Sequence, residues 1–354
     1  MKVLVTLDFP PETGGIQRYL HEMVMHTFTA EDQVITGKAV NRQKERDNRY
    51  PCGIRRLGFP GERINRKVLL VPFFWKMLHC VTEKQKHLVL AGNVYAAVVP
   101  WMLSFIFSVE YHVFCYGTEL LPLEKKAFRN GLWKAVLQRA ETVYYLTGAT
   151  LRVLTEWYGC RNCIQRVPKI DLPAFSPDEK IPVRNTVHLL SVGRLVPHKG
   201  HALLIEASAR LAENSAWHLT IAGNGPERQR ILSQIRQRSL QKRITVRSDV
   251  ADEELRQLYQ GAEVFIFPSI STRSAIEGFG IVLLEAMAYG AAIIAARSGG
   301  IEEVVENNSD YAVLVPPGDV DALADAIRLL IGDGDRRRRM ARAARFLLER
   351  RYVW

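Results

Sequence analysis

The sequence has no apolar run of the roughly 20 residues that a helix needs to cross a bilayer. Its most apolar stretches, Val94 to Val109 and Val68 to Met77, are shorter and are interrupted by Pro100 and Pro72. It also lacks the basic start, apolar centre and small-residue cleavage site of a secretory leader, because Met1-Lys2 runs directly into the strand-like Val3-Leu4-Val5-Thr6-Leu7. A cytoplasmic location is expected. Cysteine is scarce and odd in number: Cys52, Cys80, Cys115, Cys160 and Cys163 are scattered, which suits a reducing compartment and not a disulfide framework. Cys160-Arg-Asn-Cys163 is an isolated C-x-x-C with no second pair to complete a zinc site, so it reads as two partly buried thiols in a loop. No Gly/Pro-rich or Gln-rich tract is long enough for disorder. No G-x-G-x-x-G follows a first strand, which argues against a nicotinamide-dependent dehydrogenase.

What is present is length and positive charge. At 354 residues the chain has room for two compact domains, each burying its own core. A formal charge of +11 points to polyanionic surroundings, whether nucleic acid, anionic lipid headgroups or phosphorylated substrates.

Hydrophobic periodicity fills in the organisation. A buried-type strand at Lys2 to Leu7 leads through a Pro- and Gly-rich turn into a helical pattern from Ile16 to Phe28. Strand-like runs at Val34-Ile35, His87 to Ala91, Val109 to Cys115 and Thr142 to Leu146 alternate with helical patterns, as parallel βαβ units do. Pro168, Pro173, Pro177 and Pro182 then mark a linker. A second alternating series begins at Val187, with strands at Val187 to Val192, His218 to Ala222, Ile244 to Val246, Val264 to Phe267 and Ala292 to Ala295. The reading is two doubly wound α/β domains, residues 1–175 and 176–335, followed by a basic helix at 336–354. That tail carries Arg336 to Arg339, Arg342, Arg345, Arg350 and Arg351, a pattern that suits a solvated helix face or a phosphate or membrane contact. Open parallel sheets bind ligands at the carboxyl ends of their strands, so two such domains face to face would form one cleft.

In the second half, Glu277-Gly278-Phe279-Gly280-Ile281-Val282-Leu283-Leu284-Glu285 follows a strand and enters a helix. Two carboxylates eight residues apart can grip different hydroxyls of one extended ligand. Gly278 and Gly280 let that ligand lie against bare backbone, and a helix N-terminus favours its phosphate. Ser191-Val192-Gly193-Arg194-Leu195-Val196-Pro197-His198-Lys199-Gly200 places two cations, Arg194 and Lys199, at another strand end, where they can neutralise charge building on a departing diphosphate.

These segments resemble glycosyltransferase family 4, whose E-x7-E motif matches Glu277 to Glu285. Turns at Ala222-Gly223-Asn224-Gly225-Pro226-Glu227 and Arg297-Ser298-Gly299-Gly300-Ile301-Glu302-Glu303 agree. The resemblance covers most of the chain, most strongly Val187 to Leu330. It implies the two-domain GT-B fold and a retaining transferase that moves a hexosyl unit from a UDP- or GDP-sugar to a glycan or lipid-linked acceptor in polysaccharide or glycolipid synthesis. It also implies roles. Arg194 and Lys199, beside Gly193, would contact the diphosphate. Glu277 would hydrogen-bond the donor sugar, in the loop that continues through Phe279 and Ile281, and Glu285 would bind the ribose. Backbone at Asp249 and Val250 would meet the base, and Gly14-Gly15 would let backbone approach donor phosphate or acceptor at a helix head. Attack from the face that the diphosphate leaves, with the leaving phosphate taking the proton, is the mechanism implied. No cofactor and no metal are implied, and no Asp-x-Asp pair is seen that would hold a divalent ion.

The chain departs from the family pattern in places. Where relatives have a His-Gly pair, this chain has Tyr116-Gly117, and Tyr116 is the residue left to donate a hydrogen bond to the donor sugar or developing oxyanion. His112, four residues earlier on the same strand, lies more than about 10 Å away along it and reads as a satisfied core or edge histidine. Val167-Pro168-Lys169-Ile170-Asp171 stands where a Pro-Asn-Gly turn is common, and relatives usually continue past Trp354 with a helix crossing back.

For the acceptor, Arg55 to His79 interleaves Arg55, Arg56, Arg63, Arg66, Lys67 and Lys76 with Val68, Leu69, Leu70, Phe73, Phe74 and Trp75. That composition suits either peripheral binding to anionic lipid at the inner membrane face or a core helix with basic flanks. Two rival readings are a nucleotide-sugar epimerase on the same fold, which would consume donor without acceptor, and a polyanion-binding protein. A nucleic-acid partner is not expected, since no recognition motif or stacking platform accompanies the charge.

Overall fold

The structure is a computed structural model that describes residues 1–11, 14–37, 47–57, 74–75, 78, 88–121, 127–173, 186–211, 216–272 and 275–354. The chain folds as two units, Met1–Lys169 with Trp354, and Ile170–Val353. Residues 174–185, most of the proline-bearing stretch expected to be linker, lie outside the described residues.

The first unit runs β1 (Lys2–Val5), α1 (Gly15–Thr27), β2 (Gln33–Gly37), β3 (Gly53–Leu57), β4 (Leu88–Ala91), α2 (Val98–Leu103), β5 (Tyr111–Cys115), α3 (Ala127–Arg139), β6 (Thr142–Tyr145), α4 (Gly148–Tyr158) and β7 (Cys163–Gln165). Its seven strands pair in parallel in the order β3-β2-β1-β4-β5-β6-β7. Helices on such a sheet bury both faces, so the inner strands are mostly apolar: Val3, Leu4, Val34, Ile35, Val89, Val113, Phe114 and Val143 are fully buried.

The second unit runs β8 (Val187–Val192), α5 (His201–Ser208), β9 (Trp217–Ala222), α6 (Arg228–Gln237), β10 (Ile244–Arg247), α7 (Asp252–Gly261), β11 (Val264–Phe267), α8 (Ile281–Ala288), β12 (Ala292–Ala296), α9 (Ile301–Val304), β13 (Val313–Val315), α10 (Val320–Gly332) and α11 (Gly334–Arg351). Six parallel strands order as β10-β9-β8-β11-β12-β13. Leu189, Leu204, Ile205, Leu219, Ile221, Ile266, Ile294 and Ile327 share its core.

Several elements differ from expectation. Strand β3 reads Gly-Ile-Arg-Arg-Leu and escapes an apolar-run criterion because it lies at the sheet edge. There Arg56 pairs with Asp47 at 2.7 Å and donates to the Pro10 carbonyl, so this arginine serves the unit itself. Residues 58–73, 76–77 and 79 of the proposed lipid-binding stretch lie outside the described residues.

The basic tail is not a separate segment. It begins at Gly334 and packs Met340, Ala341, Ala344, Leu347 and Leu348 into the second unit. Its arginines are largely consumed locally. Arg337 pairs with Glu263 at 3.1 Å, Arg345 donates to the Ala288 carbonyl, and Arg350 and Arg351 both hold Glu306, at 2.7 and 2.8 Å.

Two Asp-x-Asp triplets do occur, Asp319-Val320-Asp321 and Asp333-Gly334-Asp335, and both open helices. Asp319 and Asp333 cap α10 and α11 by accepting from Ala322 N at 2.9 Å and Arg336 N at 2.8 Å. Asp321 and Asp335 pair with Arg210 and Arg338.

The C-x-x-C is also not all loop, since Cys163 opens β7. The Cys160 thiol is hydrogen-bonded to that of Cys163, and burial pushes it up to about 12, which leaves little nucleophilic thiolate. His112 accepts or donates at 2.9 Å to the Tyr144 hydroxyl, as a satisfied histidine does, and burial lowers its pKa.

Candidate functional site

In the second unit the chain passes from β8 to one side of the sheet, through β9 and β10, and returns to β11 on the other side. The crevice between β8 and β11 is therefore the topological switch point, where the strand order opens a ligand site. The loops after β8, β11 and β12 supply the expected residues.

After β8, a single 3-10 turn (Pro197–Lys199) carries Lys199, and Gly200 ends it with φ of +72°. A Cβ on Gly200 would lie 1.9 Å from the Pro268 carbonyl oxygen. Only glycine lets the β8 and β11 loops meet backbone to backbone here. The consequence is a short bridge: Lys199 Nζ donates to Glu277 Oε2 at 2.6 Å, with side chains 16% and 10% exposed. Lys199 Nζ also sits 5.0 Å from the centre of the Phe267 ring. From behind, Gly300 N donates to the Glu277 carbonyl at 3.2 Å, and a Cβ on Gly299 would lie 2.0 Å from that oxygen. Arg194 is exposed beside this pair. His198, next to Lys199, is held below the usual histidine range by burial and then by the charges of Lys199 and Arg194, against the opposing pull of Glu277. Arg194, His198, Lys199 and Glu277 thus form one electrostatic cluster.

The other expected residues fall around it. Gly193 adjoins Lys199 and His201, and Gly223 packs against Gly193, where a Cβ would lie 1.9 Å from the Gly193 carbonyl oxygen. Asp249 lies in the left-handed region at φ of 55° and accepts from Asn224 Nδ2 at 2.9 Å, just before Val250 and α7. Phe279 is buried, edge-on to Tyr352 at 5.7 Å. Gly278, Gly280 and Ile281 lead into α8, with Gly280 at its N-cap. Glu285 is the fifth residue of that helix, half-buried, and accepts from the Tyr259 hydroxyl at 2.7 Å.

Gly14, Gly15 and Tyr116 belong to the first unit. Gly14 caps α1, and nothing would touch a Cβ on Gly15. Tyr116 is 6% exposed, and its hydroxyl has no hydrogen-bond partner among the described residues.

Sequence reasoning missed Tyr259 and His201. Tyr259 lies 26 residues from Glu285, on α7, so no local spacing announces it. His201 opens α5 directly after the β8 loop and is 3% exposed. Burial, assisted by Lys199, depresses it from 6.5 to about 4. Between those values the unfolded chain binds a proton that the folded chain refuses, so stability is complete above pH 6.5 and falls as pH drops towards 4. The loss is on the order of 3 kcal/mol. Melting temperature followed from pH 7 to 4 should fall less steeply in His201→Gln than in wild type, and equal slopes would remove His201 from this role.

Residues 177–346 match the family of glycosyl transferases group 1. Over 99% of its length the chain is 28% identical to the GDP-mannose-dependent alpha-(1-6)-phosphatidylinositol monomannoside mannosyltransferase of Mycobacterium tuberculosis, covering 94% of that protein. The chain is a glycosyltransferase. Solved structures of similar fold include HepE of Anabaena in complex with UDP-glucose, 22% identical with a TM-score of 0.82 over 100% of this chain and 96% of that one. Sucrose-phosphate synthase of Thermosynechococcus elongatus is also 22% identical, with a TM-score of 0.81 and coverage of 100% and 95%. The two parallel α/β domains of this glycosyltransferase are those of the GT-B fold. Among its described residues no helix is long and apolar enough to cross a membrane.

Proposed function

We propose that this glycosyltransferase moves a hexosyl unit, with retention and without a divalent metal, from a GDP-sugar such as GDP-mannose to a lipid-linked polyol or glycan. The observation that carries the reading is the Lys199–Glu277 bridge across the switch point, with Arg194 beside it. Lys199 and Arg194 supply the positive charge that a departing diphosphate needs, which is the work a metal does elsewhere. Glu277 is the carboxylate offered to the donor sugar. Glu285, oriented by Tyr259, is offered to the ribose. GDP is favoured over UDP because relatives matched over 99% of this chain carry GDP-mannose-dependent names, whereas UDP enters through likeness of fold.

In the step proposed, the bond from C1 of the sugar to the phosphate oxygen breaks and a bond from C1 to the acceptor hydroxyl forms on the same face. The hydroxyl proton goes to the leaving phosphate, and Arg194 and Lys199 balance the new charge. The excess of positive charge suits an anionic lipid surface that presents the acceptor.

The test is thermal stabilisation by GDP-, UDP-, ADP- and dTDP-sugars in EDTA. GDP-mannose should raise the melting temperature of wild type. Glu285→Ala should abolish the shift, and Tyr259→Phe should weaken binding by about 3- to 10-fold, the net worth of one ordinary hydrogen bond. The first anomer formed, read by proton NMR, should retain the donor configuration. No shift with any nucleotide sugar would defeat the proposal.

A further inference from the structure

We infer that Tyr352, the residue that ends α11, is a positioning residue for the Glu277 carboxylate: it braces both anchors of the Glu277 loop and so sets affinity for the nucleotide sugar. The last clause rests on the transferase reading above.

Glu277 sits in a segment with little of its own to hold it. Gly278 and Gly280 flank Phe279, and Gly280 has φ of +76°, so this backbone has many conformations open to it. Two anchors fix it. One is the Glu277 carbonyl, which accepts from Gly300 N at 3.2 Å. The other is Phe279, the only aromatic residue between Phe267 and Tyr289 and 4% exposed.

Tyr352 meets both anchors. Its ring stands edge-on to Phe279, with centroids 5.7 Å apart and planes at 79°, an arrangement that aromatic pairs favour. Its hydroxyl donates to the Val304 carbonyl at 3.1 Å. Val304 ends α9, a helix of four residues whose last carbonyls find no partner within the helix. Val304 N in turn donates to the Gly300 carbonyl at 3.2 Å. The tyrosine thus holds the far end of the turn whose near end holds Glu277.

Tyr352 is itself firmly set. It is 1% exposed, its N donates to the Leu348 carbonyl, and its own carbonyl accepts from Ile170 N, both at 2.8 Å. The Arg351 guanidinium lies 5.4 Å from the ring centre and pairs with Glu306 at 2.8 Å, while Arg350 holds the same carboxylate at 2.7 Å. Glu306 and Asn307, just beyond α9, are left-handed at φ of 51° and 46°, a conformation that residues other than glycine keep only where their surroundings tie them. The end of α11 therefore grips the α9 turn twice, through Glu306 and through Val304. Burial pushes the Tyr352 hydroxyl up to about 12, so it stays a neutral donor near neutral pH. Packing alone would be met by phenylalanine, since a buried hydroxyl costs free energy until it is bonded.

The test uses the full chain, with GDP-mannose as probe and hydrogen exchange as a readout that needs no ligand. In Tyr352→Phe, which keeps the ring against Phe279, amides of 277–283 and 300–305 should exchange at least about fivefold faster than in wild type, the scale of one lost hydrogen bond. Tyr352→Leu, which loses the ring contact too, should raise the Kd for GDP-mannose at least about tenfold, with Tyr352→Phe between it and wild type. Tyr111→Phe is the control. Tyr111 is equally buried, in the first unit, and donates to the Val136 carbonyl at 2.6 Å. Its change should lower the melting temperature by a similar amount and leave the Kd for GDP-mannose within about twofold. Unchanged exchange in both Tyr352 variants, or a Kd that moves equally in Tyr111→Phe and Tyr352→Phe, would overturn the positioning role. Faster exchange in the two segments of a protein that takes no nucleotide sugar would keep the brace and overturn its link to the donor.

Discussion

Lys199→Ala is expected to lower kcat/KM for the sugar donor by at least about 100-fold, the scale seen when one fixed group facing transition-state charge is removed. The same change strands Glu277, whose side chain is 10% exposed and whose carboxylate accepts from Lys199 at 2.6 Å. Leaving one member of a buried pair uncompensated costs about 3–5 kcal/mol. Melting temperature should therefore fall along with activity. Glu277→Gln separates the two effects, because it keeps the shape and a carbonyl acceptor but removes the charge. In Lys199→Ala/Glu277→Gln the stranded charge is gone, so stability should recover most of what Lys199→Ala lost, while kcat/KM stays low. Activity within tenfold of wild type in Lys199→Ala would take the diphosphate role away from this lysine.

Gly299→Ala should be as damaging without touching any charge. Gly299 has φ of +63°, and a Cβ there would lie 2.0 Å from the Glu277 carbonyl oxygen. Left-handed strain and a backbone collision together cost at least about 3 kcal/mol. For a domain of this size that lowers the melting temperature by roughly 6–12 °C. Glu277 must move to make room, so donor affinity should fall too. Gly318→Ala is the control, since Gly318 has φ of +81° and nothing within 4 Å of a Cβ. It should lose only about 1 kcal/mol, the left-handed penalty. Calorimetry giving equal losses for the two variants would show that the contact with Glu277 is not what Gly299 is for.

The alternation of strands and helices was legible because parallel strands buried on both faces must be apolar runs, and Val264 to Phe267 was read to the residue. The edge strands β3, β7 and β13 were not. Strand β3 carries two arginines, and β13 has three residues. The candidate donor site could be read because its chemistry is local: Glu277 and Glu285 are eight apart, and Arg194 and Lys199 five. The join between those segments spans 78 residues and exists only in the folded chain. Tyr352 and Val304 are 48 apart, neither lies in a patterned motif, and no sequence spacing brings them together. The Asp-x-Asp triplets show the converse limit, since a pattern usable for metal is spent on capping α10 and α11.

The loops at the second unit's strand ends are fastened through backbone: Gly200 on Pro268, Gly223 on Gly193, Gly225 on Leu195 and Gly299 on Glu277. The exposed side chains between these fastenings bond to other loop and helix side chains and not to the sheet: Asn224 donates to Asp249 at 2.9 Å and Arg297 pairs with Glu302 at 2.6 Å, while Pro226 lies exposed between Gly225 and Glu227. A randomised library at these three positions should therefore yield mostly folded proteins, whereas one at the four glycines should yield mostly insoluble ones. In this scaffold the side chains at the strand ends can be replaced while the backbone frame that presents them stays fixed.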